Sequence, residues 1–424
     1  MFKTIPFAKG VNLHIRQTTQ FKTVNFSIKW RRALTAKSAS ERTVLTNVLQ
    51  HSNAKYKTTA AFRSFLDDLY GTVLYFDTSK RGNEHTVLMN VETVNDHYLA
   101  NTSVLNEVLG LLHTAIFEPN LENGVFKESV VEREKKTVIQ RIESIFDDKS
   151  RFAQFRLQQI LRPNEPASIS ANGSVEEIQK ITPASLFEAY QSMLANDKID
   201  IYVAGGDINE EEIVAKLKKA LPFNDRTPEE VPAVLPQQHP ANDYVREQHE
   251  MKQGKLHIGF STPVRFGDVD FSKMQIFNGI FGGYPHAKLF MNVREKESLA
   301  YYASSSYASH YGLVFVVSGI EAKNEEKALS LIKEQLAVMQ AGDITDLELE
   351  QTKAMLTNQL KESLDSARGQ IEIFDQYKDL PEEFSVEAWA NKWKAVTKED
   401  VVAMAKQVQL EAVYFLCGKE QAAQ

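Results

Sequence analysis

Apolar and polar residues alternate along the first 34 positions of the chain. Val11, Leu13 and Ile15 form one alternating set, and the apolar residues at 24, 26, 28 and 30 form a second. A period of two is typical of β-strands with one buried face. The polar segment between the two sets predicts a turn, so we expect an antiparallel hairpin.

Helical spacing replaces this alternation farther along the chain. Apolar residues three and four positions apart predict helices, and the segment that ends the first half is again strand-like. Glycine at position 71 ends a helix and introduces a strand pair around a short polar turn. The predicted helices are 38–50, 58–70, 97–117, 125–161, 174–180 and 183–194, and the predicted strands of this region are 72–78, 86–91 and 199–204.

A proline-rich segment interrupts the chain near its middle. Residues 221–240 hold five prolines, and because proline lacks an N–H and restricts the residue before it, we expect an extended linker. On both sides the elements follow one order, helix, strand, turn, strand, helix, in 63–109 and in 288–336. We therefore predict an α+β fold of two duplicated units, 1–220 and 241–424, each an antiparallel sheet with helices packed on one face.

Composition excludes several classes of partner. The chain has 424 residues, of which 43% are hydrophobic and 25% charged, and its net charge is −7. Nucleic-acid binding needs concentrated positive charge, so we expect no nucleic-acid partner. A single cysteine, Cys417, fits a reducing compartment, and no apolar run is typical of a signal peptide or membrane span. We expect a cytoplasmic protein without membrane contact.

Residues 281–302 hold the first candidate site. A Gly-Gly pair precedes a helical stretch, which gives way to a β-prone segment at 299–302. Arg294 and Tyr301 are seven positions apart, about two helical turns, so both side chains could face one opening. A guanidinium and a phenolic hydroxyl suit the carbonyl groups of a peptide backbone. The alternative is a surface arginine and a half-buried strand tyrosine.

This segment resembles the C-terminal half of the pitrilysin/insulinase/mitochondrial-processing-peptidase family. In that family a Gly-rich loop precedes a KLF…RE helix and a GLAY strand, and this chain reads GG, AKLF, VRE and SLAY in the same order. The resemblance implies that Arg294 and Tyr301 bind substrate backbone near a zinc ion. It extends over essentially the whole chain and implies duplicated units that form the walls of a chamber.

The resemblance also locates a zinc motif that has degenerated in this chain. Active members bind zinc through His-x-x-Glu-His on the first helix, and the matching positions hold Asn47, Gln50 and His51. An asparagine amide is a poor zinc ligand, and a glutamine cannot serve as the general base. On the long helix, Glu134 keeps the supporting carboxylate, whereas Arg141 takes the place of the downstream ligand.

The register on the long helix leaves an alternative open. The separation from His51 to Arg141 exceeds the family's usual interval, and Glu128 lies nearer to that interval. With either residue, the site lacks one histidine and the general base. We therefore expect no cofactor on this chain, and the resemblance implies that zinc belongs to a partner subunit.

Together these features predict the non-catalytic subunit of a zinc-peptidase-like assembly. The chain resembles bacterial family members found with a zinc-bearing sister protein. The resemblance implies that it binds peptide or unfolded polypeptide and completes the chamber of that sister. Two alternatives stay open, a metallopeptidase with an atypical metal site and a purely structural scaffold. A heterodimer and a homodimer are both compatible with the sequence.

Overall fold

The computed structural model describes residues 2–100, 103–206, 208–234 and 243–418. The strands in these ranges are β1 (Lys3–Ala8), β2 (Val11–Gln17), β3 (Thr23–Ala33), β4 (Val73–Arg81), β5 (Glu84–Val94), β6 (Leu121–Glu122), β7 (Val125–Phe126), β8 (Lys198–Gly205), β9 (Asp243–His249), β10 (Gly254–Ser261), β11 (Ala300–Ala308), β12 (Leu313–Ile320) and β13 (Gln409–Gly418).

The α-helices are α1 (Ala36–His51), α2 (Thr59–Asp68), α3 (Leu105–Phe117), α4 (Glu128–Asp147), α5 (Lys149–Leu161), α6 (Val175–Gln179), α7 (Pro183–Asn196), α8 (Glu210–Ala220), α9 (Phe271–Asn278), α10 (Glu325–Gln340), α11 (Asp346–Ser363), α12 (Ala367–Tyr377), α13 (Val386–Ala395) and α14 (Lys398–Gln407). Two π-helical segments, Gly279–Gly283 and Leu289–Lys296, follow α9. The mixture of helices and sheets confirms the α+β class. None of the described helices has both the length and the apolar character needed to cross a bilayer.

The chain divides into two compact units that exchange segments along the sequence. Unit 1 comprises residues 1–143, 169–233 and 363–376, and unit 2 comprises residues 144–168, 234–362 and 377–424. Unit 2 therefore takes α5 from the N-terminal half of the sequence. Unit 1 takes nearly all of α12 from the C-terminal half.

Unit 1 is built on a six-stranded sheet with the order β1-β2-β8-β3-β5-β4. The predicted hairpin between β2 and β3 is wrong, because β8 lies between them, parallel to β2 and antiparallel to β3. The alternating pattern identified both strands, but it carries no information about which strand lies next to which. The β4–β5 hairpin is confirmed, with Val73 opposite Glu92 and Arg81 opposite Glu84.

Both faces of this sheet are covered, which corrects the prediction of helices on one face. On one face, Leu13 and Trp30 pack in the main core with Val44 and Leu45 of α1. On the other face, α12 packs against Tyr202 of β8 through Ile371. The parallel β2–β8 pair also makes the sheet mixed rather than purely antiparallel.

The predicted long helix at 125–161 is two helices. α4 ends at Asp147, and the Asp148 carboxylate accepts hydrogen bonds from the backbone N–H groups of Ser150 and Arg151 at the start of α5. A capping aspartate satisfies backbone donors that would otherwise lack partners and fixes a new helix start. The break places α4 in unit 1, apart from its last residues, and α5 in unit 2.

Unit 2 is built on a five-stranded sheet with the order β11-β12-β10-β13-β9, in which β9 and β13 are parallel and the other pairs antiparallel. Again a helix covers each face. Phe281, which follows α9, packs edge-on against Phe260 of β10, with ring centroids 6.1 Å apart. On the other face, α5 packs closely enough that a Cβ at Gly259 would lie 2.4 Å from Leu161 Cδ1.

Candidate functional site

Helices α1 and α4 of unit 1 bring the residues of the degenerate zinc motif together. The Arg141 guanidinium donates from Nη2 to Asn47 Oδ1 at 3.1 Å. The Asn47 amide in turn donates from Nδ2 to the backbone oxygen of Thr43, one turn earlier on α1, at 3.0 Å. The oxygen at the first ligand position is therefore already bound to a cationic side chain.

Glu134 lies two turns before Arg141 on α4, and His51 lies one turn after Asn47 on α1. Glu134 is buried at 3% exposure, and its Oε1 accepts from Arg133 Nε at 2.7 Å. Burial lowers the pKa of the His51 imidazole, and the Glu134 charge opposes that shift while the Arg133 and Arg63 charges add to it. The neutral imidazole thus lies beside a carboxylate that is already paired.

Gln50 binds the sheet rather than the other motif residues. Its Oε1 accepts the backbone N–H of Phe76 in β4 at 3.1 Å. β4 is the last strand of the unit 1 sheet and pairs with β5 on one side. The side chain at the position of the general base therefore covers a backbone donor on a sheet edge.

Glu128 lies at the opposite end of α4 from the Arg141–Asn47 contact. It is the first residue of α4, thirteen residues before Arg141, which corresponds to about 20 Å along the helix axis. Arg141, nearer the C-terminal end of α4, donates the hydrogen bond to Asn47.

These residues do not fit a zinc ion. A structural or catalytic zinc site needs three or four thiolate, imidazole or carboxylate ligands, and here Asn47 offers an amide oxygen bound to a guanidinium. At ~4 Å a unit charge repels a dication by about 2 kcal/mol in water and about 8 kcal/mol at an effective dielectric of 20, and the exposed Arg141 is nearer to the first case. Elsewhere in the described residues, no group of three or more His, Cys, Asp or Glu side chains is arranged to bind a metal.

The predicted substrate-binding pair lies in unit 2. Arg294 belongs to the π-helical segment Leu289–Lys296, where its guanidinium lies over the Phe290 ring at 4.5 Å and its Nε is 3.5 Å from Glu295 Oε1. Tyr301 lies on β11, an edge strand, and is 62% exposed. Between them, Ser298 adopts a left-handed backbone conformation with φ of 50°.

A β-bulge presents Tyr301 to solvent. β11 advances from Ala300 to Tyr302 while β12 advances by only one residue, from Ile320 to Gly319, so Tyr301 is the extra residue. Bulges turn a side chain away from the regular alternation and occur often near functional sites. The sequence gives no signal for this bulge, although it correctly indicates the change from helix to strand.

The Gly-Gly pair, Gly282 and Gly283, ends the π-helical segment Gly279–Gly283. A Cβ at Gly282 would lie 2.7 Å from the backbone nitrogen of Ser305 in β11 and 2.7 Å from Leu289 Cδ1. The glycine therefore permits the helix backbone to lie directly on the strand that carries Tyr301.

Sequence reasoning missed a buried ionic network in unit 1. Asp375 of α12 binds Arg31 and Tyr202 of the sheet, and it accepts from Lys29 Nζ at 3.0 Å. Asp200 of β8 also pairs with Arg31. In each of these pairs the two partners are more than 160 positions apart along the chain, so no local motif could reveal them.

Comparisons with known proteins agree with this geometry. The family described as "Peptidase M16 inactive domain" matches residues 180–356. "Probable inactive metalloprotease YmfF" of Bacillus subtilis (strain 168) is 38% identical over 412 residues, which cover 97% of this chain and 96% of that protein. A conserved protein from Enterococcus faecalis V583, solved by crystallography, is 36% identical, with a TM-score of 0.93 over the full length of both chains.

A more distant relative is the mitochondrial-processing peptidase subunit beta of Saccharomyces cerevisiae (strain ATCC 204508 / S288c). It is 21% identical over 358 residues, which cover 78% of this chain and 77% of that subunit. The identity to the Bacillus protein over nearly both full lengths establishes the family. The chain belongs to the M16 metallopeptidases, the pitrilysin/insulinase/mitochondrial-processing-peptidase family, as an inactive member.

Proposed function

We propose that this chain is the non-catalytic subunit of a zinc-peptidase-like assembly, which binds peptide and completes the chamber of a zinc-bearing partner. The observation that carries the proposal is a contrast within the chain. Arg141 is hydrogen-bonded to Asn47 at the first ligand position, whereas Arg294 and Tyr301 keep exposed polar groups. Catalytic chemistry is lost, and the side chains suited to a peptide backbone are kept.

We also propose that the chain arose by duplication of one α+β unit, with the two copies at 1–220 and 241–424 joined by a proline-rich linker at 221–240. Residues 235–240 of that linker lie outside the described residues. Two features support duplication. Each sheet contains one parallel pair, β2–β8 or β9–β13. Each sheet is also covered on its second face by a helix, α12 or α5, that comes from the other half of the sequence.

The peptide is proposed to bind as an added strand on a sheet edge. β4 offers such an edge beside α1. The Phe76 N–H on this strand donates to the Gln50 side chain, and the Thr78 N–H donates to Asp77 Oδ1 at 2.8 Å. An incoming peptide carbonyl would replace the Gln50 amide, and main-chain hydrogen bonds give affinity with little demand on sequence.

The proposed partner is a zinc-bearing M16 sister of the same cell, with a second copy of this chain as the alternative, and the proposed compartment is the cytoplasm. The name of the yeast relative, a processing-peptidase subunit, supports a role within an assembly. The overall charge of −7 supports a protein or peptide partner rather than a nucleic acid.

The test is reconstitution of activity from separately purified proteins. We expect the zinc-bearing sister alone to cleave a denatured polypeptide slowly and the mixture to cleave it faster. Arg294→Ala should lower kcat/KM of the mixture about 10-fold to 100-fold, the effect of losing a hydrogen bond from a charged donor. Arg151→Ala is the matched control, since Arg151 is also an exposed arginine of unit 2 paired with a nearby acid.

Two results would decide against the proposal. One is equal cleavage by the sister alone and by the mixture, together with no effect of Arg294→Ala. The other is a homodimer of this chain that has no affinity for unfolded polypeptide, which would favour the structural scaffold instead.

A further inference from the structure

A cavity of about 470 Å³ in unit 2 is lined by three cationic side chains, Arg162, Arg265 and Lys406. It lies where α5, β10 and α14 end and β13 begins. Among the described residues, no aspartate or glutamate lines it, although the chain as a whole is acidic. Ser261, Thr262 and Tyr311 belong to the same lining.

Arg162 contributes a guanidinium that is almost fully buried, at 3% exposure. Its Nη1 donates to Glu411 Oε2 at 3.2 Å and to the backbone oxygen of Leu161 at 3.0 Å. Its buried Nε has no hydrogen-bond partner among the described residues. Glu411 balances the charge of this guanidinium in a buried ion pair, and the unpaired Nε leaves part of its hydrogen-bonding capacity unmet, at a cost in free energy. The positive charge that a ligand would meet in the cavity therefore comes mainly from Arg265 and Lys406.

Arg265 is held on the loop that follows β10. Its guanidinium donates to the backbone oxygen of Val234, and its backbone N–H donates to Asp268 Oδ2 at 2.6 Å. Gly312, another lining residue, has φ of 63°, and a Cβ there would lie 2.6 Å from Thr262 O and 3.6 Å from Arg265 Nε. Glycine at this position therefore leaves space beside the guanidinium.

Lys406 differs from the two arginines because it lies at the exposed C-terminal end of α14. An ammonium on a flexible stem can move toward a bound anion, whereas a guanidinium offers a fixed pair of donors. Fixed arginines, a movable lysine and hydroxyl donors together are the groups that bind phosphate oxygens in proteins.

We propose that this cavity binds a small molecule that carries a phosphate group. Its volume lies within the range of small-molecule sites, so it has room for more than the phosphate itself. The site involves none of the residues that the proposed peptidase-related function uses. Binding of a phosphorylated ligand is thus a second property of the chain. An experiment that disproves peptide binding would leave this proposal unaffected, and the reverse also holds.

The test uses the full chain in a phosphate-free buffer, with inorganic phosphate and pyrophosphate as probes and sodium chloride at matched ionic strength as the blank. We expect saturable heat of binding by calorimetry and a rise in Tm that sodium chloride does not produce. Lys406→Gln and Arg265→Gln should each weaken pyrophosphate binding about tenfold, the effect of one charge-assisted hydrogen bond.

Lys398→Gln is the matched control, because it removes the same charge from the first turn of the same helix, away from the cavity. It should leave affinity unchanged. If neither probe gives a saturable signal, or if Lys398→Gln weakens binding as much as Lys406→Gln does, the proposal is overturned. Lys406 is exposed, so its replacement should not disturb folding. The Lys406→Gln variant therefore tests binding even if the Arg265→Gln variant does not fold.

Discussion

Supplying the missing histidine and glutamate should not be enough to restore a zinc site in this chain, because Arg141 must also be removed. In the structure Arg141 Nη2 lies 3.1 Å from Asn47 Oδ1, at the position that a first ligand would occupy. A zinc ion bound to a histidine there would lie within ~4 Å of the guanidinium, since zinc–nitrogen bonds are about 2 Å long.

The size of the effect follows from Coulomb's law. Repulsion between a unit charge and a dication at ~4 Å is about 8 kcal/mol at an effective dielectric of 20 and about 2 kcal/mol in water. Arg141 is exposed and can move away, so the lower figure applies. Removing the charge should therefore tighten zinc binding about 30-fold. Arg141→Glu adds an attraction of similar size and also supplies a carboxylate at the downstream ligand position, so the total is at least about 4 kcal/mol, or roughly 10³-fold.

The assay is the zinc dissociation constant by competition with a chromophoric chelator. The Asn47→His/Gln50→Glu variant keeps Arg141 and serves as the reference. Adding Arg141→Gln should tighten binding about 30-fold, and adding Arg141→Glu about 10³-fold, as calculated above. Lys136→Glu, an exposed charge reversal elsewhere on α4, should change binding little. If the reference variant binds zinc as tightly as the Arg141→Glu variant, the electrostatic reasoning is refuted.

Two further predictions concern packing and buried charge. Gly282→Ala should lower the free energy of unfolding by about 1–3 kcal/mol, because the added Cβ would lie 2.7 Å from a backbone atom. Gly110→Ala is the control: a Cβ there has nothing within 4 Å and should stabilise the chain slightly. Urea unfolding compares the two variants, and equal effects would contradict the close approach at Gly282. Asp375→Ala should lower the free energy of unfolding by about 3–5 kcal/mol, because it removes a partner of the buried Arg31. Glu372→Ala removes a partly exposed carboxylate and should lower it by less than about 1 kcal/mol. Similar losses of stability in thermal unfolding of the two variants would contradict this reasoning.

The sequence predicted those parts of the fold that depend on local pattern. Period-two alternation identified β2 and β3, and the glycine at 71 correctly marked the end of a helix before the β4–β5 hairpin. The β2–β3 pairing failed because β8, from far along the chain, contributes the intervening strand. Strand order and the exchange of α5 and α12 depend on contacts between distant segments, which periodicity does not encode.

The same distinction applies to the candidate site. Asn47, Gln50 and His51 share one helix, so the loss of the zinc motif could be recognised from their spacing alone. That Arg141 contacts Asn47, and that Gln50 covers the edge of β4, follow only from the packing of α4 and the sheet against α1. A substitution that removes a catalytic group can be recognised in the sequence, but the contact that replaces it cannot.

Acid should destabilise unit 1 through His85, which is fully buried. Arg42 Nε donates to His85 Nδ1 at 3.1 Å, which leaves the ring proton on Nε2 to donate to the backbone oxygen of Ala171 at 2.9 Å. Arg42 is itself held by Asp197 and by the backbone oxygen of Trp30. A second ring proton would face the Arg42 N–H group. Burial, and then the Arg42 charge, lower the pKa of His85 to about 3.

The pKa of His85 is lower in the folded state than its ordinary value of about 6.5. Between pH 6.5 and 3 the unfolded chain is therefore protonated at His85, whereas the folded chain is not. The stabilising contribution of His85 is therefore complete above about pH 6.5 and decreases as the pH falls toward 3. Between pH 6.5 and 5 the loss is about 2 kcal/mol, at 1.4 kcal/mol per pH unit. Urea unfolding at pH 7.5 and 5.0 should show His85→Gln losing about 2 kcal/mol less than the wild type. Other groups titrate alike in both proteins, so equal losses would mean that His85 is not held neutral by Arg42 and its burial.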